Sequence, residues 1–508
     1  MKRLAWPLAL LLAGALHTAA FAPLEWWWLQ IAAVAVLAAG VRTATPGQAA
    51  WRGWAFSLGW LASGLWWLYI SMHDYGAMAA PLAAGAVALL AAALSLYLAA
   101  AMAWFARWRR GVAWRDGLGF AACWLLAELA RAQWFTGFPW LASGYAHSSG
   151  PLAALAPWVG VYGMGAVAAL AAAALAQWLA RLARRSAPAA SPALAGLAVL
   201  LPAAALLAPS EFTQPAGSLR VSLLQPNVPQ DLKFDPDRIV ANMAALREQL
   251  VAARGDLVVT PESVLPIPKD QLDAAYWQQL VAPFAAPAAG RPRAALIGTF
   301  LGNERDGYVN SLVGVSAAGD GYAYGKRHLL PFGEFVPTGF RWFVELLQIP
   351  LGDQASGRNE APFVAAGQRL RPLICYEDLF GEDFAASMTG PDAATVLVNA
   401  SNLAWFGHRM VQDQHLQFSR LRALEFQRPL VRATNTGSTA AVDHHGAVVA
   451  RLPPDTLGTL DAEVEGRRGA TPYARWLAAF GLWPLWALAA ALLMIQQPWL
   501  RTAPGRYR

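Results

Sequence analysis

The sequence predicts two architectures in one chain: a polytopic α-helical membrane domain with about eight transmembrane helices, and an α/β extramembrane domain. Three observations predict it. The 508 residues are 56% hydrophobic, include 24 tryptophans and have a mean hydropathy of +0.34, which no ordinary soluble protein shows. The apolar residues are concentrated in 1–210 and 474–495, whereas 211–472 has the composition of a globular domain. Within that polar stretch, short apolar runs alternate with longer helical patterns, as strands joined by helices do.

Seven candidate spans precede the polar region, at about 4–21, 26–41, 54–72, 78–105, 118–133, 152–180 and 193–209, and an eighth covers about 474–495. The first two are short and joined by "FAPLE". Residues 1–22 also resemble a signal peptide, with Lys2 and Arg3 ahead of an apolar run, but another apolar segment follows at once and favours a retained span. The reading divides the chain into a membrane domain (1–210, seven helices), a catalytic domain (211–472) and a terminal helix with its tail (473–508).

Charge then gives sidedness. The net charge of +7 suggests nucleic acid as a partner until it is partitioned: 211–472 holds 23 Lys/Arg and 28 Asp/Glu, a net −5, so the basic excess belongs to the membrane part and nucleic acid is excluded. Counting helices from the start, one side receives Lys2, Arg3, Arg42, Arg52, Arg107, Arg109, Arg110, Arg115, Arg181, Arg184, Arg185, Arg501, Arg506 and Arg508. The opposite short loops receive only Arg131. By the positive-inside rule both termini are cytoplasmic and 211–472 emerges outside, which in a bacterium is the periplasmic face of the inner membrane.

The polar region reads as buried strands ending in polar residues: "LRVSLLQPN" (219–227), "DLVVTPES" (256–263), "AALIGTF" (294–300), "RPLICYED" (371–378), "ATVLVNASN" (394–402) and "RPLVRATNTG" (428–437). A hairpin is expected at 313–326, turning at "AGDG", and helices at 236–253 and 411–427. In such sheets chemistry gathers where strands end. Three strand ends carry it here: Glu262 in "TPES", Lys326 in "YGKRHLLPFGEFVP" with Glu334 in the same loop, and Cys375 in "ICYED". Only one other cysteine exists, Cys123, inside the fifth candidate span, so Cys375 has no extracytoplasmic disulfide partner. A thiol, a carboxylate to take its proton and an ammonium to stabilise an oxyanion are the minimum set for acyl transfer through a thioester. Singly, Glu262 reads as a helix cap, Lys326 as a surface charge and Cys375 as core filler, and spacing alone leaves both readings open.

These residues resemble the Glu-Lys-Cys triad of the nitrilase, or carbon–nitrogen hydrolase, superfamily. With seven helices before and one after, the chain resembles the apolipoprotein N-acyltransferase family. Further matches are "FAPLEWW" (21–27), "WLYIS" (67–71), "TGFPWL" (136–141), "QPNVPQDLKF" (225–234), "AWFG" (404–407), "RALEFQRPLVRATNTG" (422–437) and "TPYAR" (471–475). The resemblance implies a nitrilase-like αββα sandwich. It implies Glu262 as general base, Lys326 as stabiliser of the tetrahedral intermediate and Cys375 as nucleophile, supported by Glu334, Tyr376 and Glu377. The donor implied is a phospholipid such as phosphatidylethanolamine. The acceptor is the α-amino group of the diacylglyceryl-cysteine of an apolipoprotein, and no metal or cofactor is called for. Trp405 and Phe406 match the aromatic loop near the lipid entrance. Phe234 stands where a Trp is common and Leu403 where an Asp is usual, departures that bear on lipid contacts and not on the triad. Two other readings remain: a membrane-anchored amidase with water as acceptor, and a non-enzymatic lipid-binding or assembly protein.

Overall fold

The computed structural model describes residues 2–183, 192–233, 235–285, 292–339, 341, 354–408 and 410–496. Two compact units emerge: residues 1–66, 85–210 and 480–508 in one, residues 67–84 and 211–479 in the other.

In the α/β unit, long runs of β-branched and aliphatic residues are buried on both faces, as strands inside a layered sandwich must be. Twelve strands form two six-stranded sheets. The first has the order β12-β1-β2-β3-β4-β5, with β1 Thr213–Gln225, β2 Leu257–Val259, β3 Ala294–Asn303, β4 Gly307–Ser316, β5 Gly319–Gly325 and β12 Gly458–Gly469. The second has the order β11-β10-β9-β8-β7-β6, with β6 Phe363–Ala365, β7 Gln368–Ile374, β8 Val396–Ser401, β9 Leu430–Thr434, β10 Ala440–Val442 and β11 Val448–Arg451. Three parallel strands lie at the centre of each, β1-β2-β3 and β7-β8-β9. Helices Pro236–Ala252 and Ala274–Ala285 cover one face of the first sheet, where Leu246, Leu250, Leu280 and Phe284 pack on Val258, Ala295, Ile297 and Val313. Helix Met410–Phe426 packs against β9 of the second sheet. The expected α/β domain and the 313–326 hairpin are present, the latter as β4 and β5.

In the helical unit, helices cover Lys2–His17, Trp27–Val41, Pro46–Gly64, Ala80–Trp108, Ala113–Gln133, Ala156–Ala183 and Pro192–Leu207. The first and third are packed backbone to backbone. A Cβ on Gly14 would strike the Phe56 carbonyl, and one on Gly59 the Leu11 carbonyl. Small residues of this kind let apolar helices approach closely.

Among the described residues two helices are long and apolar enough to cross a bilayer, Ala80–Trp108 and Pro151–Ala183, or three if the broken pair near the C-terminus counts as one. The expected single helix at 474–495 is two helices, Pro472–Phe480 and Trp483–Met494, because Gly481 between them adopts φ +56°. The expected span at 54–72 ends early, at Gly64, and residues 71–75 form a π-turn. Arg131 is not in a loop. It lies in the last turn of Ala113–Gln133, 4% exposed, donating to the carbonyls of Phe138 and Trp140 at 2.9 and 2.7 Å. Of the fourteen basic residues that the sequence reading gathers on one side, Arg184, Arg185, Arg501, Arg506 and Arg508 lie outside the described residues.

Candidate active site

Glu262 follows β2, Lys326 follows β5 and Cys375 follows β7, so both sheets contribute to one cluster. The Glu262 loop is stitched to β3: Thr260 N donates to Leu296 O (3.0 Å), Gly298 N to Thr260 Oγ1 (2.9 Å) and Leu265 N to Gly298 O (3.1 Å). Gly298 is required there because a Cβ would collide with the Pro261 carbonyl.

The Lys326 amine is buried between two carboxylates, 2.8 Å from Glu334 Oε1 and 3.4 Å from Glu262 Oε1. Burial alone would discharge it, but Glu334 and Glu262 outweigh that and hold its pKa well above the ordinary lysine value. Both carboxylates are fixed in turn. Asn310 Nδ2 donates to Glu262 Oε1 at 2.7 Å and to Glu334 Oε1 at 3.3 Å, Asn402 N donates to Glu262 Oε2 at 3.0 Å, and Leu330 N to Glu334 Oε2 at 2.8 Å.

Cys375 sits at φ +53°, a strained left-handed conformation for a residue with a side chain. Its carbonyl accepts from Asn399 Nδ2 at 2.8 Å. The thiol is buried, and burial followed by the field of Glu262 raises its pKa well above the usual thiol value, with Lys326 opposing. A thiol shifted in that direction rests as S–H at neutral pH, and it would act as a nucleophile only once a base had taken its proton.

Glu377 is a structural clamp on this turn. Its Oε2 accepts from Ile374 N (2.7 Å) and Tyr324 OH (2.8 Å), and its Oε1 from Arg327 N (2.7 Å) and His328 N (3.2 Å), so it ties the residues flanking Cys375 to those following Lys326. Tyr376 is buried against His328 and Phe380, and its hydroxyl has no hydrogen-bond partner among the described residues.

Sequence reasoning missed four contributors. Asn310 and Asn402 hold the carboxylates. Lys233 is buried and donates to Oγ of Ser263, the residue after Glu262, at 2.7 Å, and burial lowers its amine to about 8 against the pull of Glu262. Asp378 is the fourth: it accepts from His415 Nε2 at 2.9 Å and Ser419 Oγ at 2.5 Å, while Arg432 donates to His415 Nδ1 at 3.2 Å. Arginine has only donors, which fixes the His415 proton on Nε2. Burial would raise Asp378, but His415 and Arg432 outweigh it and keep the carboxyl below its usual range. The only hint in the sequence was a polar residue in an otherwise apolar run, as at Asn310 in "YVNSLVGV".

Trp405 and Phe406 are not in the charged cluster. They form a short 3-10 turn whose rings meet Tyr75 and Trp67 edge-on at 5.8 and 5.1 Å, so residues 67–76 brace this loop. Leu403 is buried at its start, and Phe234 lies outside the described residues.

A buried Glu–Lys–Glu cluster beside a cysteine at a strained strand end defines a class, and residues 220–473 match the sequence model "Carbon-nitrogen hydrolase". Residues 13–174 match a second, "Apolipoprotein N-acyltransferase N-terminal domain". Similar full-length proteins include the apolipoprotein N-acyltransferases of Verminephrobacter eiseniae (48% identical, covering 94% of each chain) and Ralstonia nicotianae (48%, covering 93% of this chain and 90% of that one). That of Bordetella bronchiseptica is 42% identical and covers 96% of each chain. The chain belongs to the apolipoprotein N-acyltransferase family.

Proposed function

We propose that the protein is a phospholipid:apolipoprotein N-acyltransferase that works by ping-pong through a thioester on Cys375. The observation that carries the chemistry is the buried Lys326 amine held between Glu262 and Glu334 beside a buried Cys375 at a strained turn. Family membership over more than nine-tenths of the chain supports the substrates.

In the first half-reaction Glu262 takes the Cys375 proton as sulfur attacks the ester carbonyl of a phospholipid, phosphatidylethanolamine being the expected donor. Lys326 stabilises the oxyanion, with Glu334 holding the amine in place. Collapse breaks the ester C–O bond, and the departing lysophospholipid alkoxide takes the proton back from Glu262. In the second, the α-amino group of a diacylglyceryl-cysteine attacks the thioester and passes a proton to Glu262. The C–S bond breaks, the amide forms, and the leaving thiolate recovers that proton. Glu377 and Asp378 keep the elbow in shape, and the Tyr376 hydroxyl is free to meet substrate. Trp405, Phe406 and Phe234 are assigned to the acyl-chain side.

Eight spans, a multi-pass inner-membrane location, cytoplasmic termini and a periplasmic catalytic domain complete the reading. They are supported by the arginine asymmetry and by helices on all of the first seven predicted segments. Incubating the purified protein with labelled phospholipid, with and without a diacylglyceryl-cysteine peptide, tests the transferase against the amidase reading. Label should reach the peptide. Rapid release as free fatty acid without the peptide would instead identify water as the acceptor.

A further inference from the structure

A second cluster of chemistry lies elsewhere in the α/β unit. His444 and His445 occupy the turn between β10 and β11, and Glu211 leads into β1. His445 Nε2 lies 3.0 Å from Glu211 Oε1 and His444 Nε2 lies 3.6 Å from Glu211 Oε2. One donor atom from each of the three residues lies within 4.8 Å of the others. We propose that Glu211, His444 and His445 form a binding site for a divalent transition-metal ion of the zinc class.

The donor set decides the class. Two imidazoles and one carboxylate suit zinc-like ions, whereas calcium and magnesium want oxygen alone. Zinc–ligand bonds of about 2.0–2.2 Å put tetrahedral ligand atoms about 3.4 Å apart, so the widest separation, at most 4.8 Å, has to close by no more than about 1.4 Å. Their exposure permits it: the side chains of Glu211 and His445 are 46% and 52% exposed. The backbone beneath them is already fixed. Asp443 Oδ1 accepts from the N–H groups of His445 and Ala447 at 2.9 Å each, and Gly446, at φ +75°, donates to the Asp443 carbonyl at 3.0 Å. Three protein ligands leave a fourth position for water.

The competing reading is an ordinary charge cluster, because Arg467 also donates to Glu211 Oε2 at 2.8 Å. Arg467 does not depend on that bond. It also donates to Thr213 O (2.8 Å), Thr213 Oγ1 (3.1 Å) and Glu465 Oε2 (3.0 Å), so it stays satisfied when Glu211 turns to a metal. Glu211 adjoins the first sheet and the histidines tip a hairpin of the second. A bound ion therefore ties the two sheets together and stabilises the folded domain by mass action.

The test uses full-length protein in detergent, made without a polyhistidine tag and stripped with chelator. Zn²⁺ is titrated calorimetrically, and Co²⁺ is added as a visible-absorption probe. The expected result is one Zn²⁺ per chain, a four-coordinate Co²⁺ spectrum and a higher thermal midpoint with Zn²⁺. Glu211→Gln and the double variant His444→Asn/His445→Asn should each weaken binding by at least about tenfold, with the metal-free midpoint unchanged. Binding should persist in Cys375→Ala. No binding by the unaltered protein, equal binding by the variants, or loss of binding in Cys375→Ala would each overturn the proposal.

Discussion

Cys375 is held in a conformation that disfavours it and in an ionisation state that delays it. Its positive φ presents sulfur at a turn, and its raised pKa keeps the proton on until a base removes it. Cys375→Ala, and equally Cys375→Ser with its far less acidic hydroxyl, should form no acyl adduct by intact mass, while Cys123→Ala should load normally. Lys326→Ala should lower transfer by about 10²–10³-fold, the usual cost of losing an oxyanion-stabilising donor. Asn310→Ala leaves both carboxylates short of a donor, and the loss of a charge-assisted bond worth about 1.5–3 kcal/mol should cut loading by about tenfold to a hundredfold. Lys233 adds a pH signature. Its folded-state pKa is lowered from 10.5 to about 8, so between those values the unfolded chain holds the proton and the fold does not. Its charge therefore costs stability as pH falls through that window, and above about 8 Glu262 loses a nearby cation. Acyl loading from phospholipid alone should show an inflection near pH 8 as Lys233 loses its proton, and Lys233→Arg, always charged, should remove it; superimposable profiles would contradict this. That Glu262, Lys326 and Cys375 would meet was legible in the sequence because each closes an apolar strand. Asn310 was not, since only the pairing of β3 with β4 decides which way a mid-strand side chain points.

At the scale of elements, two packing features carry predictions. Gly14 and Gly59 allow the helices Lys2–His17 and Pro46–Gly64 to touch along their backbones. Gly59→Val should destabilise the protein by about 1–3 kcal/mol, as overpacking does, read as a lower thermal midpoint in detergent. Gly47→Val, which meets open space, should not share that packing penalty. The aromatic turn is the second feature. Gly407 has φ +86°, and a Cβ there would meet Ile70 of the bracing segment, so Gly407→Ala should slow phospholipid loading while leaving discharge by the peptide intact. The α/β alternation, the 236–252 helix and the hairpin were readable because hydrophobic period and turn residues agreed. The break at Gly481 and the bracing role of 67–76 were not. Composition cannot distinguish one apolar helix from two joined by a left-handed glycine, and an aromatic segment such as "WLYIS" reads equally well as lipid-facing.

For the whole molecule, the proposed transfer requires a nucleophile on the far side of the membrane from both termini and a cycle that turns over without water. The arginine asymmetry makes the first point testable: a reporter active only in the cytoplasm, fused at about residue 300, should be silent. The second is the central claim, and intact-mass spectrometry of the detergent-solubilised enzyme tests it most directly. With phospholipid alone, the protein should gain the mass of one acyl chain on Cys375 and keep it over time. On addition of a diacylglyceryl-cysteine peptide, that mass should vanish as an N-acylated peptide appears. Glu262→Gln should never acquire the adduct, although Cys375 and Lys326 remain. An adduct that the peptide cannot discharge, or one that decays to free fatty acid without it, would contradict the account.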